Sequence, residues 1–239
     1  MTRQRARLIL LALPVAALLV LATSCGFFRD AGAQTTQQRD IQGATAVQLL
    51  TNGNLSITVG QTESLSVTAG ANQLVGLTSQ VIDGTLILDN KASTPSSGEV
   101  SYALTVPPLA GLDVSGSGSA QGVGALTGDA QLTLSGSGGA TLTGLDLSSV
   151  VVDVSGSGNA ELAGLATTQR VTLSGSGSYQ GSALATEQSD VAVSGSGNAA
   201  VDVSGRLSAT VNGSGDITYT GNPAQIDRTS TGSGDIVPG

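Results

Sequence analysis

A tetrapeptide, Ser-Gly-Ser-Gly, recurs through the second half of the chain at nearly constant spacing. It begins at Ser115, Ser135, Ser155, Ser174 and Ser194, and degenerate copies begin at Asn212 and Thr231. The start-to-start steps are 20, 20, 19, 20, 18 and 19 residues. A fixed period of this length is typical of a solenoid, in which each repeat forms one coil that stacks on the previous coil.

Within each repeat, apolar or glycine residues alternate with polar residues. In the third copy, one parity consists of Val152, Val154, Gly156, Gly158, Ala160 and Leu162, and the other of Asp153, Ser155, Ser157, Asn159 and Glu161. Successive side chains of a strand point to opposite faces, so the first set is predicted to face inward. A flexible Gly-Ser linker would not keep this phase. We expect a tight corner at which an inward Cβ does not fit or φ must be positive.

The composition excludes several kinds of site. The chain has no histidine and one cysteine, Cys25, so neither an internal disulfide nor a Cys/His metal cluster can form. Ser-His and Cys-His nucleophile pairs are excluded for the same reason. Removing a leader with Arg3, Arg5 and Arg7 leaves 6 basic and 17 acidic residues, a formal charge of −11. We therefore expect no metal, no cofactor and no nucleic-acid partner.

The N-terminus is predicted to be a lipoprotein-type signal peptide over 1–24. Met1–Arg7 is basic, and the apolar run Leu8–Leu21 is short for a membrane span. Leu21-Ala22-Thr23-Ser24-Cys25 resembles the lipobox of bacterial lipoproteins, whose cysteine becomes the lipidated N-terminus. The resemblance implies a lipid anchor with palmitate at Cys25 and export to the cell envelope. The alternatives are an ordinary secreted protein and an uncleaved membrane anchor.

The remainder of the chain is predicted to form a tether and one domain. The polar segment 25–40 is typical of a flexible tether. A single β-solenoid domain is predicted over 41–237, with less regular coils over 41–110 and the Ser-Gly-Ser-Gly repeats over 111–237.

Turn signals divide the less regular coils. Asp83-Gly84 indicates a hairpin or a coil turn between two apolar runs. Lys91–Glu99 is polar, contains Pro95 and is predicted to be a surface loop. The strand Tyr102–Val106 is predicted to end at Pro107-Pro108, which cannot donate to a strand ladder.

Three motifs in order resemble the head GIN domain family of putative autotransporter adhesins. They are the strand Gly84–Leu88, the run Val106–Leu109 followed by Leu112–Gly118, and repeated turns such as Ser155–Asn159 and Gly213–Asp216. The resemblance covers about Ile41–Val237. It implies a right-handed parallel β-solenoid on a secreted or lipid-anchored bacterial protein, and it supplies no catalytic residues.

The acidic residues offer weak candidates for chemistry. Asp216 and Asp235 follow Gly-Ser-Gly runs, but calcium needs several carboxylates together, so stacking at the turn is the favoured interpretation. Asp113 and Asp153 have outward parity and are two coils apart, which is unlike an adjacent carboxylate pair. Tyr179 has inward parity and is predicted to belong to the core or an edge, in preference to a sugar-binding platform. We expect the protein not to be an enzyme.

Two columns of serines form the exposed feature with the most order. They consist of Ser115, Ser135, Ser155, Ser174 and Ser194, and of Ser117, Ser137, Ser157, Ser176 and Ser196. They either keep the corner soluble or form a hydroxyl array that contacts a glycan, another protein or further copies of the chain. The sequence predicts a lipid-anchored adhesion or surface-interaction module. The alternative is a structural or self-assembling envelope component, and a homo-oligomer is compatible with both.

Overall fold

The structure, a computed structural model, describes residues 31–91 and 98–239. The predicted signal peptide, Cys25 and most of the predicted loop Lys91–Glu99 lie outside the described residues. The strands of the N-terminal part are β1 Gln34–Arg39, β2 Ala46–Leu49, β3 Asn54–Val59, β4 Ser64–Gly70, β5 Leu77–Ile82, β6 Thr85–Asn90, β7 Ser101–Val106, β8 Leu109–Val114 and β9 Ser119–Val123. A single-turn helix, α1 Ala71–Leu74, joins β4 to β5.

The strands of the repeat region become longer and then shorten again at the C-terminal end. They are β10 Leu126–Leu134, β11 Gly139–Val154, β12 Asn159–Leu173, β13 Ser178–Val193, β14 Ala199–Val211, β15 Ile217–Thr220, β16 Gln225–Ser230 and β17 Ile236–Pro238. Strands β11 to β14 are long because each continues round a bend from one ladder into the next, with an irregular register at the bend.

The strands stack in two ladders, which we call face A and face B. Face A runs β5, β6, β2, β8 and β10, and then through the C-terminal parts of β11 to β14 to β16. Face B runs β1, β4, β7, β3 and β9, and then through the N-terminal parts of β11 to β14 to β15 and β17. Pairing is parallel from β6 and β7 onward. This confirms a parallel β-solenoid with coils of about 20 residues.

The spatial order of the first coils differs from their order in the chain. The coil of β2 and β3 lies between the coil of β6 and β7 and the coil of β8 and β9. Antiparallel strands close this end, since β5 pairs with β6 and β4 with β7. The β5–β6 connection is a hairpin, in which Asp83 and Gly84 have φ values of 49° and 78°. These values are typical of the Asp-Gly turn that the sequence indicates.

The prediction of a flexible tether over 25–40 is wrong for Gln34–Arg39. This segment is β1, which pairs antiparallel with β4 from Gln34 opposite Gly70 to Arg39 opposite Leu65. Side chains reinforce the pairing, since the Gln38 amide donates to Ser66 Oγ over 2.7 Å. The polar composition suits an exposed edge strand, and the backbone of β4 gains a partner for its free edge.

The predicted inward parity is confirmed in the core. Register links Leu112, Leu132, Val152, Val171 and Val191 into one column, and each is at most 2% exposed. Complete burial of one such side chain stabilises the fold by about 1.5–3 kcal/mol. Repetition of these columns in successive coils provides a continuous core of mainly aliphatic side chains, to which Tyr102, Tyr179 and Tyr219 are added.

Tyr179 is fully buried, which places it in the core and not at an edge, and it belongs to a polar network inside the solenoid. Its hydroxyl donates to Gln169 Oε1 over 2.8 Å, and Gln169 Nε2 donates to Ser189 Oγ over 2.7 Å. Thr186 continues the network by donating to the carbonyl oxygen of Asp202 over 2.6 Å. Burial raises the pKa of Tyr179 well above its ordinary value, so the phenol stays neutral.

The last coil ends the core with a charge. Register places Arg228 opposite Ala209, at the open end of the inward column that carries leucine or valine in earlier coils, and its side chain is exposed there. Its guanidinium contacts the Tyr219 hydroxyl and lies 5.0 Å from the centre of that ring. Among the described residues, β16 pairs only with β14 and β17 only with β15, so both outer edges are open. A charge at an inward position is a known means of protecting such an edge.

Candidate functional site

The two predicted serine columns exist in the structure and lie where each coil turns from face A to face B. We call the four-residue turns that carry them the serine corner. The Ser155 N–H donates to the carbonyl oxygen of Leu134, and the Ser174 N–H donates to that of Val154, both over 2.9 Å. These bonds place equivalent serines above one another. Nine of the ten serines are exposed, and Ser115 is half-buried.

Glycine is required at the corner by the neighbouring coil. A Cβ on Gly136, Gly156, Gly175 or Gly195 would overlap the carbonyl oxygen of the equivalent glycine one coil earlier. The same overlap occurs at the second glycine of each turn, such as Gly158 against Gly138. The prediction that a Cβ does not fit is therefore confirmed. The atom that would clash with the Cβ is a backbone carbonyl oxygen of the preceding coil. The alternative reason is wrong, because these corner glycines do not have positive φ.

The hydroxyls of the two columns differ in their partners. In the first column, Ser115 Oγ donates to Asp113 Oδ1 over 2.6 Å and lies 3.2 Å from Ser135 Oγ. In the second column, the hydroxyls make no side-chain hydrogen bond within the described part of the chain. The second column therefore presents donors and acceptors to solvent at a coil spacing of about 4.8 Å.

Asp216 and Asp235, which follow the corner, lie in hydrogen-bonded register with residues of the preceding coils, as expected. The Asp216 N–H donates to Asn198 Oδ1, and the Asp235 N–H donates to Asp216 Oδ1, both over 2.8 Å. The carboxylate of Asp216 is thus used between coils. Residues 31–91 and 98–239 contain no group of three or more His, Cys, Asp or Glu that could hold a metal ion.

Asp113 and Asp153 are two coils apart, as predicted. Thr133 pairs with both and separates them. Asp113 accepts a hydrogen bond from the Gln48 amide over 2.9 Å, in addition to that from Ser115. Its carboxylate therefore connects the serine corner to the outer surface of face A.

Sequence reasoning missed one coil of the corner. The Gly118 N–H donates to the carbonyl oxygen of Thr51 over 3.1 Å, and the Ser119 N–H donates to that of Gly53 over 3.2 Å. Leu50–Gly53 is therefore a divergent corner that precedes the first Ser-Gly-Ser-Gly copy in space. In the sequence, this corner is indicated by Gly53, which lies between two strands of alternating apolar residues, as the glycines of the repeated corners do.

Two ion pairs between coils were also missed. Arg170 and Asp190 are 2.9 Å apart, and Arg206 and Asp227 are 2.8 Å apart. The partners are separated by 20 and 21 residues in the sequence, close to one repeat. Opposite charges separated by one repeat in the sequence could have predicted these ion pairs.

Within the described residues, no helix is long and apolar enough to cross a membrane. The family described as "Putative auto-transporter adhesin, head GIN domain" matches residues 43–223. The chain belongs to this family. The resemblance inferred from the motifs is thereby confirmed. No curated protein matches the chain.

Solved structures share the fold of this head GIN domain protein. A putative adhesin from Bacteroides fragilis is 22% identical, with a TM-score of 0.79 over 86% of this chain and 97% of the other. A putative lipid binding protein from Parabacteroides distasonis is 21% identical, with a TM-score of 0.69 over 87% of this chain and 97% of the other. A putative adhesin from the same species is 22% identical, with a TM-score of 0.69 over 87% of this chain and 98% of the other.

Proposed function

We propose that this protein is an exported, lipid-anchored component of the bacterial cell envelope that displays its solenoid as a non-catalytic adhesion module. The serine corner carries the proposal, because it is an exposed array of small hydroxyls repeated on a rigid backbone. Its period is set by the strand ladder, so a ligand with its own regular surface would meet the same groups in every coil. The adhesin description of the family agrees with this function.

The lipid anchor would orient the solenoid. The proposed acylated residue, Cys25, precedes β1 closely in the sequence, and β1 is the outermost strand of face B at the N-terminal end. The coil of β16 and β17 lies at the opposite end of the ladders. The C-terminal coils would therefore point away from the membrane. A Cys25→Ser variant is expected to leave the membrane fraction and appear in the soluble fraction.

The adhesion function is tested by attachment of cells to a surface. Four strains are compared: wild type, a deletion, a corner variant and a control variant. The corner variant changes Ser117, Ser137, Ser157 and Ser176 to Lys. The control changes Gln121, Thr141, Gln180 and Thr218 to Lys, which adds the same charge on the outer surface of face B.

Attachment is expected to fall in the deletion and in the corner variant and to persist in the control. Export and folding of both variants are checked first by cell fractionation and circular dichroism. Unchanged attachment in the deletion would refute the adhesion function.

A self-assembling structural role is the second candidate. It is favoured by the open outer edges of β16 and β17, which could pair with another chain. The inward Arg228 opposes such pairing because its charge would have to be buried. A stable oligomer of the purified wild-type protein in light scattering, with no attachment defect in the deletion, would support this second function.

A further inference from the structure

The outer surface of face A contains two hollows, each of about 470 Å³. The first lies over the early coils and is lined by residues that include Ala46, Gln48, Thr85, Gly111, Asp113 and Gln131. The second lies over the later coils and is lined by residues that include Ser149, Val151, Thr168, Arg170, Gln188 and Asp190.

The two hollows adjoin along one outward column, and we call the surface that they form together the trough. Gln131 lines the first hollow, and its register partner Val151 lines the second. The same outward column continues through Arg170, Asp190 and Ser208. The trough therefore crosses eight consecutive strands of face A, from β6 to β14. At a strand spacing of about 4.8 Å, its length is about 34 Å.

The two arginines of the trough are paired with carboxylates, whereas Asp83 and Asp113 give the first hollow a formal negative charge. Arg170 is paired with Asp190, and Arg206 with Asp227. The carboxylate of Asp113 accepts hydrogen bonds from Gln48 and Ser115. Because the whole chain has a formal charge of −8, a polyanion would also be repelled at longer range. The trough chemistry suits an uncharged ligand.

The backbone of the central strands of face A has no free hydrogen-bonding groups for an extended peptide. Its N–H and C=O groups are used in the ladders on both sides of each central strand, so a peptide could not add as a further strand there. The side chains that line the trough include the amides and hydroxyls of Gln131, Thr168 and Gln188, besides apolar groups such as Ile82. The amides and hydroxyls both donate and accept hydrogen bonds, as required for ligands rich in hydroxyl groups.

We propose that the trough binds an uncharged linear polysaccharide along the solenoid axis, with the first serine column as one rim. The proposal rests on the adhesion function and names its ligand class. The hydrogen bond from Ser115 to Asp113 shows that rim and trough are continuous. A linear polymer repeats its hydroxyls along its length, so successive sugars would meet equivalent positions of successive coils.

Affinity is expected to depend strongly on ligand length. All three tyrosines of residues 31–239, Tyr102, Tyr179 and Tyr219, are buried, so the trough has no aromatic platform for a sugar ring. Binding must then come from many weak hydrogen bonds distributed over several coils. A polysaccharide spanning the trough should bind much more tightly than a disaccharide of the same sugar.

The test is affinity electrophoresis of the purified chain in native gels that contain a polysaccharide. The uncharged probes are mixed-linkage β-glucan, arabinoxylan and galactomannan, and the acidic probes are polygalacturonate and alginate. The trough variant carries Gln131→Ala and Gln188→Ala. The matched control carries Gln121→Ala and Gln180→Ala, two exposed glutamines on the outer surface of face B.

We expect retardation by at least one uncharged polysaccharide. The affinity should fall at least tenfold in the trough variant and remain unchanged in the control. Competition by a hexasaccharide but not by the disaccharide would support the predicted length dependence. Lack of retardation by every uncharged probe, equal retardation of the trough variant, or retardation by acidic probes alone would overturn the proposal.

The two experiments distinguish a wrong ligand class from a wrong adhesion function. If the deletion strain loses attachment but the purified protein does not bind uncharged polysaccharides, the adhesion function is supported and the proposed ligand class is wrong. If the protein binds polysaccharide in the trough but the deletion strain attaches normally, the binding site is supported and the adhesion function is wrong.

Discussion

Replacing Gly156 by alanine tests the origin of the corner most directly. The added Cβ would overlap the carbonyl oxygen of Gly136 and lie 3.0 Å from that of Ser135. Both neighbours are backbone atoms, so no side-chain rotation can relieve the overlap. The coils must separate locally, which disturbs the hydrogen bond of 3.1 Å from Ser157 N–H to Gly136 O.

The cost follows from these two effects. Overpacking costs about 1–3 kcal/mol, and one weakened hydrogen bond costs about 0.5–1.5 kcal/mol. We expect a loss of about 2–4 kcal/mol in the free energy of unfolding. For a chain of this size, such a loss lowers Tm by about 4–16 °C.

Gly111 provides the matched control. A Cβ there would lie 3.6 Å from the Ala46 Cβ and 3.8 Å from the Gln131 carbonyl oxygen, which are ordinary contacts. Alanine in a strand is favoured over glycine by about 0.5–1 kcal/mol, so Gly111→Ala should not destabilise. Urea unfolding followed by far-UV circular dichroism compares the two variants. If Gly156→Ala is as stable as Gly111→Ala, the corner is not held by contact between the coils.

Three further predictions concern the interior and the open end. Val154→Asp places an unpaired charge at a position that is 1% exposed and should abolish cooperative thermal unfolding; wild-type melting would contradict the inward parity. Tyr179→Phe removes the donor to Gln169 and should cost about 1–3 kcal/mol at pH 8. Since burial raises the Tyr179 pKa, the stability of the wild type is complete below the ordinary tyrosine pKa of about 10 and falls above it. The difference between the two proteins in urea unfolding should therefore narrow at pH 11, and a constant difference would refute this linkage. Arg228→Val extends an apolar column to the open end and should cause concentration-dependent association in light scattering; a monomer would show that Arg228 does not protect the edge.

The repeat and its parity were sufficient to predict the ladder, the core columns and the serine corner. A period near 20 residues with a fixed phase leaves few ways to bury the apolar set, because a shift by one residue would expose it. For this reason Val152 and Val154 were assigned correctly to the interior. The exposed positions of the serines followed from the same alternation.

The N-terminal part was less predictable because it lacks the repeat. Nothing local in Gln34–Arg39 distinguishes an edge strand from a polar tether, since β1 exists only because β4 offers a free edge. The position of β2 and β3 between later coils is also a non-local choice. Pairing partners that are distant in the chain leave no periodic signal.

The sequence by itself determined the coil, its inward face and the positions of the repeated corners, because these depend on side-chain alternation within one period. The reason for glycine at those corners lies in the stacking, since the carbonyl oxygen of the neighbouring coil occupies the place of a Cβ. The tertiary structure decided which coils are neighbours in the irregular part and which outward columns form a trough. Hollows that together cross eight strands exist only once those strands are stacked. Residues such as Gln131 and Arg170 become one surface only when coils 39 residues apart in the chain are brought within two strand spacings.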